Sequence, residues 1–169
     1  IMVCEACEFV DTFLKLYPDI AVILNIDADH LDYFKTVDNI IKSFHKFCEM
    51  ATKAVIINGD DSNSMKALEG IEGKEIITFG WSDKNDYYPS NINKISGMQE
   101  SYDLMHNGSK VCGITINVAG EHNIINSVAA CASALYVKAD IDSIKKGLYD
   151  FHGAGRRFEK IGVVNDITI

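Results

Sequence analysis

The sequence predicts an α/β protein, a mostly parallel sheet flanked by helices and carrying a small three-stranded antiparallel flap. Three observations predict it. Short β-branched apolar runs alternate with segments whose apolar residues recur at helical spacing, the pattern of strands joined by right-handed crossovers. Residues 20–24 are apolar at every position, as a central strand buried on both faces requires. Between about residues 86 and 118 the period changes to two, with Ser96-Gly97 and Asn107-Gly108 at the joints. Asn-Gly is the strongest short hairpin signal.

The elements follow in order. Residues 1–6 read as a first strand that ends near Glu8. Residues 9–16 form a short helix or turn, closed by Tyr17-Pro18-Asp19. The second strand spans 20–26. Thr36 is a fitting N-cap with Asp38 in the first turn behind it, and Val37, Ile40, Ile41, Phe44, Phe47, Cys48 and Ala51 fall on one helical stripe. A third strand at 53–58 leads through Gly59-Asp-Asp-Ser into a short helix past Met65 and Leu68, and 75–79 is the fourth. The flap then alternates through Ile92 and Ile95, Tyr102 and Leu104, and Ile114, Ile116 and Val118. Helices resume over 121–137, with the stripe Ile124, Ile125, Val128, Cys131, Ala132 and Leu135, and from Asp140 or Asp142 to Tyr149. A strand or hairpin closes the chain from Phe158 onward. The whole of 1–169 is read as one unit, with a subdomain at about 86–118.

A chain of 169 residues, 47% hydrophobic and 9% aromatic, is long enough to bury one core. Its formal charge of −8 argues against nucleic acid as a partner but leaves room for a phosphorylated ligand held by local amides, cations or Arg. No apolar stretch approaches the roughly 20 residues that span a bilayer, and no signal peptide opens the chain. Neither nucleic-acid binding nor membrane insertion is expected, and the expected location is cytoplasmic. Five scattered cysteines, an odd number, read as reduced thiols. Cys4-Glu-Ala-Cys7 lacks a second pair for zinc, so core packing is the expected role of its thiols. Both ends lie inside apolar extended segments, which predicts a piece of a longer protein.

Three segments carry candidate chemistry. In Ala21-Val-Ile-Leu-Asn-Ile-Asp-Ala-Asp-His-Leu-Asp32 an apolar strand gives way to Asp27, Asp29, His30 and Asp32. Ligands collect beyond the carboxyl ends of parallel strands; a solvated loop whose Asp residues cap the next helix competes with that reading. In Ala119-Gly-Glu-His-Asn-Ile-Ile-Asn126, His122 and Asn126 share a helix face and, with Asn123, could grip a nucleobase edge. Capping alone also accounts for them. In Phe151-His-Gly-Ala-Gly-Arg-Arg-Phe-Glu159, Arg156 and Arg157 follow two glycines and suit phosphate, or pair with surface Glu. No G-x-x-x-x-G-K-[ST] phosphate loop is present; Gly70-Ile-Glu-Gly-Lys-Glu75 has the wrong spacing. His45 and His106 read as structural or surface residues.

In this order, Glu5-Ala-Cys-Glu-Phe-Val-Asp-Thr-Phe13, Asn25-Ile-Asp-Ala-Asp-His-Leu-Asp-Tyr-Phe34, Gly120-Glu-His-Asn-Ile-Ile-Asn126 and Gly153-Ala-Gly-Arg-Arg-Phe-Glu159 resemble the central, ATP-binding domain of the Mur ligases, in its alanine-adding branch. The resemblance implies a P-loop-NTPase-like middle domain of an ATP-dependent ligase that joins L-alanine to UDP-N-acetylmuramate through an acyl phosphate. It further implies that Glu8 and His30 hold Mg²⁺, that His122, Asn123 and Asn126 face the adenine of ATP, and that Arg157, with Arg156, meets the phosphates or a closing domain. Glu8, His30 and Arg157 are then the catalytic candidates. The family's phosphate loop and C-terminal domain would lie outside this sequence, so the chain alone is expected neither to hydrolyse ATP nor to ligate. At Phe44-His45-Lys46 no modified lysine is carried over. A relative adding a preformed peptide and a non-catalytic nucleotide-sugar-binding module are the rival readings. Everything rests on one geometric expectation: Glu8, closing the first strand, and His30, closing the next, converge on a shared cation.

Overall fold

The strand around which the layers are built is β2 (Ala54–Asn58), whose Ala54, Val55, Ile56 and Ile57 are all fully buried. The computed structural model describes residues 1–153, 162–164 and 167–168. Alternation along β2 splits the core in two. Val55 and Ile57 pack with Phe13, Ile40, Phe47 and Cys48 on one face, and Ile56 packs with Phe79, Val128 and Ala132 on the other. A strand covered on both sides has no solvent face to keep polar, which is why its sequence shows no alternation.

β2 lies between β1 (Ile20–Ile23) and β3 (Glu75–Phe79), paired in parallel with both. β4 (Tyr87–Ser96) joins β3 in parallel through the single pair Phe79–Tyr87, and β5 (Gln99–His106) and β6 (Ser109–Ile116) continue as an antiparallel meander. The predicted flap is thus the continuation of one six-stranded sheet ordered β1-β2-β3-β4-β5-β6. Its second hairpin turns at Asn107 (φ +47°) and Gly108 (φ +80°), the left-handed pair that the dipeptide predicts. β7 (Val163–Val164) and β8 (Ile167–Thr168) form a separate antiparallel pair.

The helices are α1 (Leu31–Phe34), α2 (Val37–Met50), α3 (Ser62–Ala67), α4 (Glu121–Tyr136) and α5 (Ile141–Asp150), preceded by a 3-10 segment at Phe9–Lys15. The predicted stripes of α2 and α4 face the two cores. Thr36 caps α2 by accepting the Asn39 amide proton, and Asp61 does the same for Ser64 in α3. At α5 the cap is Asp140, which accepts from Ser143 at 2.9 Å, and not Asp142. No described helix is long and apolar enough to cross a membrane.

Three expectations are corrected. Residues 1–6 form no strand: Ile1 is 97% exposed, and no described strand lies beside this segment to satisfy its backbone groups. For the same reason β1 is an edge strand among the described residues, with Val22 41% exposed, although its composition predicts a central one. Cys4 and Cys7 are exposed and not part of the core, because the segment carrying them packs against nothing as a strand.

Candidate active site

Beyond Ile23 the chain leaves β1 and is pinned to the turn that follows β2. Asn58 donates its side-chain amide to the Leu24 carbonyl at 3.0 Å, and Asn63 donates to the Ile26 carbonyl at 3.0 Å. Asp61 accepts the Ile26 amide proton at 3.0 Å with the same oxygen that caps α3. A loop with few ladder bonds is thereby fixed at both carbonyls and the amide between them, and the next residues are delivered in one conformation. Asp27 and Asp29 accept the amide protons of the residues that follow them, at 2.7 Å each. The chain then enters α1 through His30, whose backbone is left-handed at φ +53°.

Glu8 arrives from the other side, immediately before the 3-10 segment. Its carboxylate oxygen Oε1 lies 3.6 Å from His30 Nε2. Two donors that far apart can share one cation at about 2.1 Å from each, the distance Mg²⁺ takes with oxygen. Asp29 Oδ1 stands 3.8 Å from the other ring nitrogen, Nδ1, and one ligand atom from each of Glu8, Asp29 and His30 falls within 4.8 Å of the others. Because Asp29 faces Nδ1 while Glu8 faces Nε2, Asp29 suits the orienting carboxylate of a metal-binding histidine better than a third direct ligand. Glu8 and His30 side chains are 31% and 34% exposed, which leaves room for water or a phosphate oxygen. The donor set fits a divalent cation that keeps part of its hydration shell.

Packing holds the imidazole as well. The Phe9 ring lies over His30 with centroids 4.7 Å apart, and Tyr33 meets Phe9 edge-on at 6.5 Å. Val10 and Asp11 are both left-handed, at φ +55° and +54°. Such residues cost about 1–3 kcal/mol each and persist where surrounding contacts over-determine them. Here Asp11 accepts hydrogen bonds from Tyr33 at 2.6 Å and from buried Ser43. Asp11, Tyr33 and Ser43 were not legible as site residues, since no spacing links three positions on three different elements.

The second predicted cluster sits on α4, across the sheet from α2. His122 and Asn126 are exposed on its first turns, on the shared face that their spacing predicts. Asn123 donates to the Ala119 carbonyl at 2.7 Å, which commits its amide nitrogen to the loop and leaves its oxygen as an acceptor. Gly120 (φ +113°) lies under the His122 ring, where a Cβ would come within 2.9 Å of Cε1. Glu100 on β5 accepts the Gly120 amide proton at 3.2 Å. Among the described residues no hydrogen bond or ion pair joins this cluster to Glu8 and His30. Arg156 and Arg157 lie outside the described residues. His45 contacts the Ala67 carbonyl and His106 stacks on Tyr87, the structural roles expected of them.

A sheet parallel from β1 to β4, with a carboxylate–imidazole pair beyond its carboxyl edge and a polar helix start after an antiparallel meander, defines an α/β domain whose Glu8 and His30 fit a divalent cation in donor type and spacing. The chain belongs to the Mur ligase middle domain family, whose profile matches residues 1–134. It is 39% identical over 99% of its length to a UDP-N-acetylmuramate–L-alanine ligase of Caldanaerobacter subterraneus subsp. tengcongensis, and 41% identical over 99% to the enzyme of that name from Clostridium acetobutylicum. It spans 36% of the length of both relatives. Among solved structures it resembles MurF from Acinetobacter baumannii (TM-score 0.78, 25% identity, 92% of this chain, 34% of that one). UDP-N-acetylmuramate–alanine ligase from Thermotoga maritima has the same fold (TM-score 0.77, 22% identity, 92% of this chain, 34% of that one).

Proposed function

We propose that this chain supplies the metal- and nucleotide-binding middle portion of an ATP-dependent carboxylate–amine ligase that joins L-alanine to UDP-N-acetylmuramate in peptidoglycan precursor synthesis, in the cytoplasm. The observation that carries the proposal is the approach of Glu8 to His30 at the carboxyl edge of the sheet, in a chain about 40% identical over nearly its whole length to ligases of that name. A MurF from Thermotoga maritima, of the same fold, was solved with ADP, which supports a nucleotide as the ligand.

The chemistry sets what the residues must do. A carboxylate is a poor acyl donor. Transfer of the γ-phosphoryl group of ATP to the muramate carboxylate gives an acyl phosphate and ADP. The alanine amine then attacks the carbonyl, and collapse of the tetrahedral intermediate expels phosphate. Glu8 and His30 would hold Mg²⁺, which when bound would supply positive charge to offset the negative charge on the phosphoryl oxygens. Asp29 keeps the His30 ring oriented. His122, Asn123 and Asn126 present donors and acceptors to the adenine, while Arg157 and Arg156 offer planar cations to phosphate or to a closing domain.

The test is phosphate release by a full-length protein that contains this chain, given ATP, UDP-N-acetylmuramate and an amine. Alanine-dependent release that falls at least about a hundredfold in Glu8→Gln, as expected for loss of a metal ligand in phosphoryl transfer, supports the proposal. Release that needs a preformed peptide in place of alanine overturns the substrate. Nucleotide binding with no turnover overturns the activity.

A further inference from the structure

The chain closes a ring of contacts around the Glu8–His30 pair, and one residue of that ring has no other evident purpose. Asp11 donates its backbone N–H to the Glu8 carbonyl at 2.9 Å. Its carboxylate accepts from the Tyr33 hydroxyl at 2.6 Å. Tyr33 in turn donates its own amide proton to the His30 carbonyl at 2.9 Å. The circuit returns through the 3.6 Å gap between His30 and Glu8. The second Asp11 oxygen accepts from Ser43, a buried residue of α2, and so ties the circuit to the rigid body of the fold.

We propose that Asp11 is a positioning residue that sets the Glu8–His30 separation, an inference that rests on the metal reading above. Four features support it. The segment bearing Glu8 has no ladder bonds to hold it, and among the described residues its side-chain hydrogen bonds to α1 and α2 run through Asp11, beside the apolar packing of Phe9 and Phe13. Val10, β-branched and left-handed, departs from its preferred backbone, and the Asp11 anchors are what keep that turn in place. Both Asp11 oxygens are spent on neutral hydroxyls, so a carboxylate three residues from Glu8 is withheld from the cation instead of competing for it. Finally, Tyr33 both donates its hydroxyl proton to Asp11 and meets edge-on Phe9, the ring that covers His30. One side chain therefore fixes the acid, the imidazole and the aromatic lid together.

The experiment is Mn²⁺ titration of the 169-residue chain followed by electron paramagnetic resonance, with thermal unfolding of each variant recorded alongside. Wild type is expected to bind, and Glu8→Gln to lose binding. Asp11→Ala is expected to raise Kd about tenfold, the effect usual for an outer-shell partner of a metal ligand. Asp11→Asn, which keeps one acceptor oxygen, falls between the two. A core truncation, Ile56→Ala, is the destabilised control and leaves Kd within about twofold of wild type, since it touches no ligand. An unchanged Kd in folded Asp11→Ala overturns the inference while the metal reading stands. Should Asp11→Ala fail to fold, Tyr33→Phe decides: it opens the ring at one bond and keeps the edge contact to Phe9, and an unchanged Kd there overturns the inference equally. Absence of Glu8-dependent binding in wild type overturns the metal reading itself, and the inference falls with it.

Discussion

On the β1 side of the sheet the backbone turns left-handed at Val10, Asp11, His30 and Lys35, none of them glycine. In the β4–β6 meander the left-handed positions are Asn91, Gly97, Asn107 and Gly108, residue types that adopt that conformation at little cost. The meander is held by ladder bonds and by a continuous apolar face against α4. Beyond the β1–β2 ladder and the apolar packing of Phe13, Ile26 and Phe34, the loops on the β1 side are held by isolated side-chain bonds, from Asn58, Asp61, Asn63, Asp11 and Tyr33. In the meander the left-handed positions fall on residue types that suit them. The β1 side overrides that preference at the place where a carboxylate and an imidazole have to meet, which is where strained conformations are expected to be retained.

The comparison breaks if stability and cation binding cannot be separated. Ile56→Ala removes a fully buried side chain from the central strand and should cost about 2–5 kcal/mol in denaturant unfolding, the range for deleting a large aliphatic group from a core. Mn²⁺ affinity should be unaffected. Asp61→Ala should cost somewhat less, about 2–3 kcal/mol, by removing the α3 cap and orphaning the amide of buried Ile26. Yet it should weaken Mn²⁺ binding severalfold, because that amide anchors the loop leading to His30. If the two variants lose affinity in proportion to lost stability, the loops are no more specialised than the core.

This division also explains what was legible in the sequence. β3 runs over the predicted residues 75–79, and α2 and α4 bury the predicted stripes, because burial imposes a period that a single chain displays. The Asn107-Gly108 turn was legible because its backbone demands those residue types. His30 was legible from its place beyond an apolar strand and Glu8 only through resemblance, and the contacts through Asp11 and Tyr33 that surround them leave no periodic trace. The error at β1 has a related cause: an apolar run records that a strand is fit for burial, not that neighbours are present on both sides. Residues 1–6 misled in the same way, since β-branched composition cannot supply a pairing partner.

A smaller effect sharpens the contrast on the α4 side. Gly120→Ala places a side chain at φ +113° and drives its Cβ into the His122 ring. The cost should be about 1–2 kcal/mol, as for a non-glycine residue forced into a sparsely populated region. The ring must swing away, so nucleotide affinity of the chain should fall while Mn²⁺ affinity holds. Fluorescent ATP-analogue titration beside Mn²⁺ titration reads both. Joint loss would tie the two clusters more closely than their separate contacts do.

The smallest expected effect lies in the meander and concerns acid. Asp103 accepts a hydrogen bond from Asn91 at 2.9 Å and pairs with Lys110 at 2.7 Å. The Asn91 bond first, and Lys110 with it, holds the Asp103 carboxyl below its ordinary value of 3.8. A depressed folded-state pKa means that the ionised form favours the folded chain. Its contribution is therefore complete above the unfolded value, about 3.9 for aspartate, and disappears as pH falls through the lower folded value. Asp103→Asn should lower the midpoint of thermal unfolding slightly at neutral pH, and the difference should shrink progressively as pH falls below about 3.9. Asp103 is only partly buried and its partner Lys110 is exposed, so high salt should shrink the difference by screening. A gap between variant and wild type that widened toward low pH would reverse the sign. It would also show that the meander carries a carboxylate the fold holds against its preference.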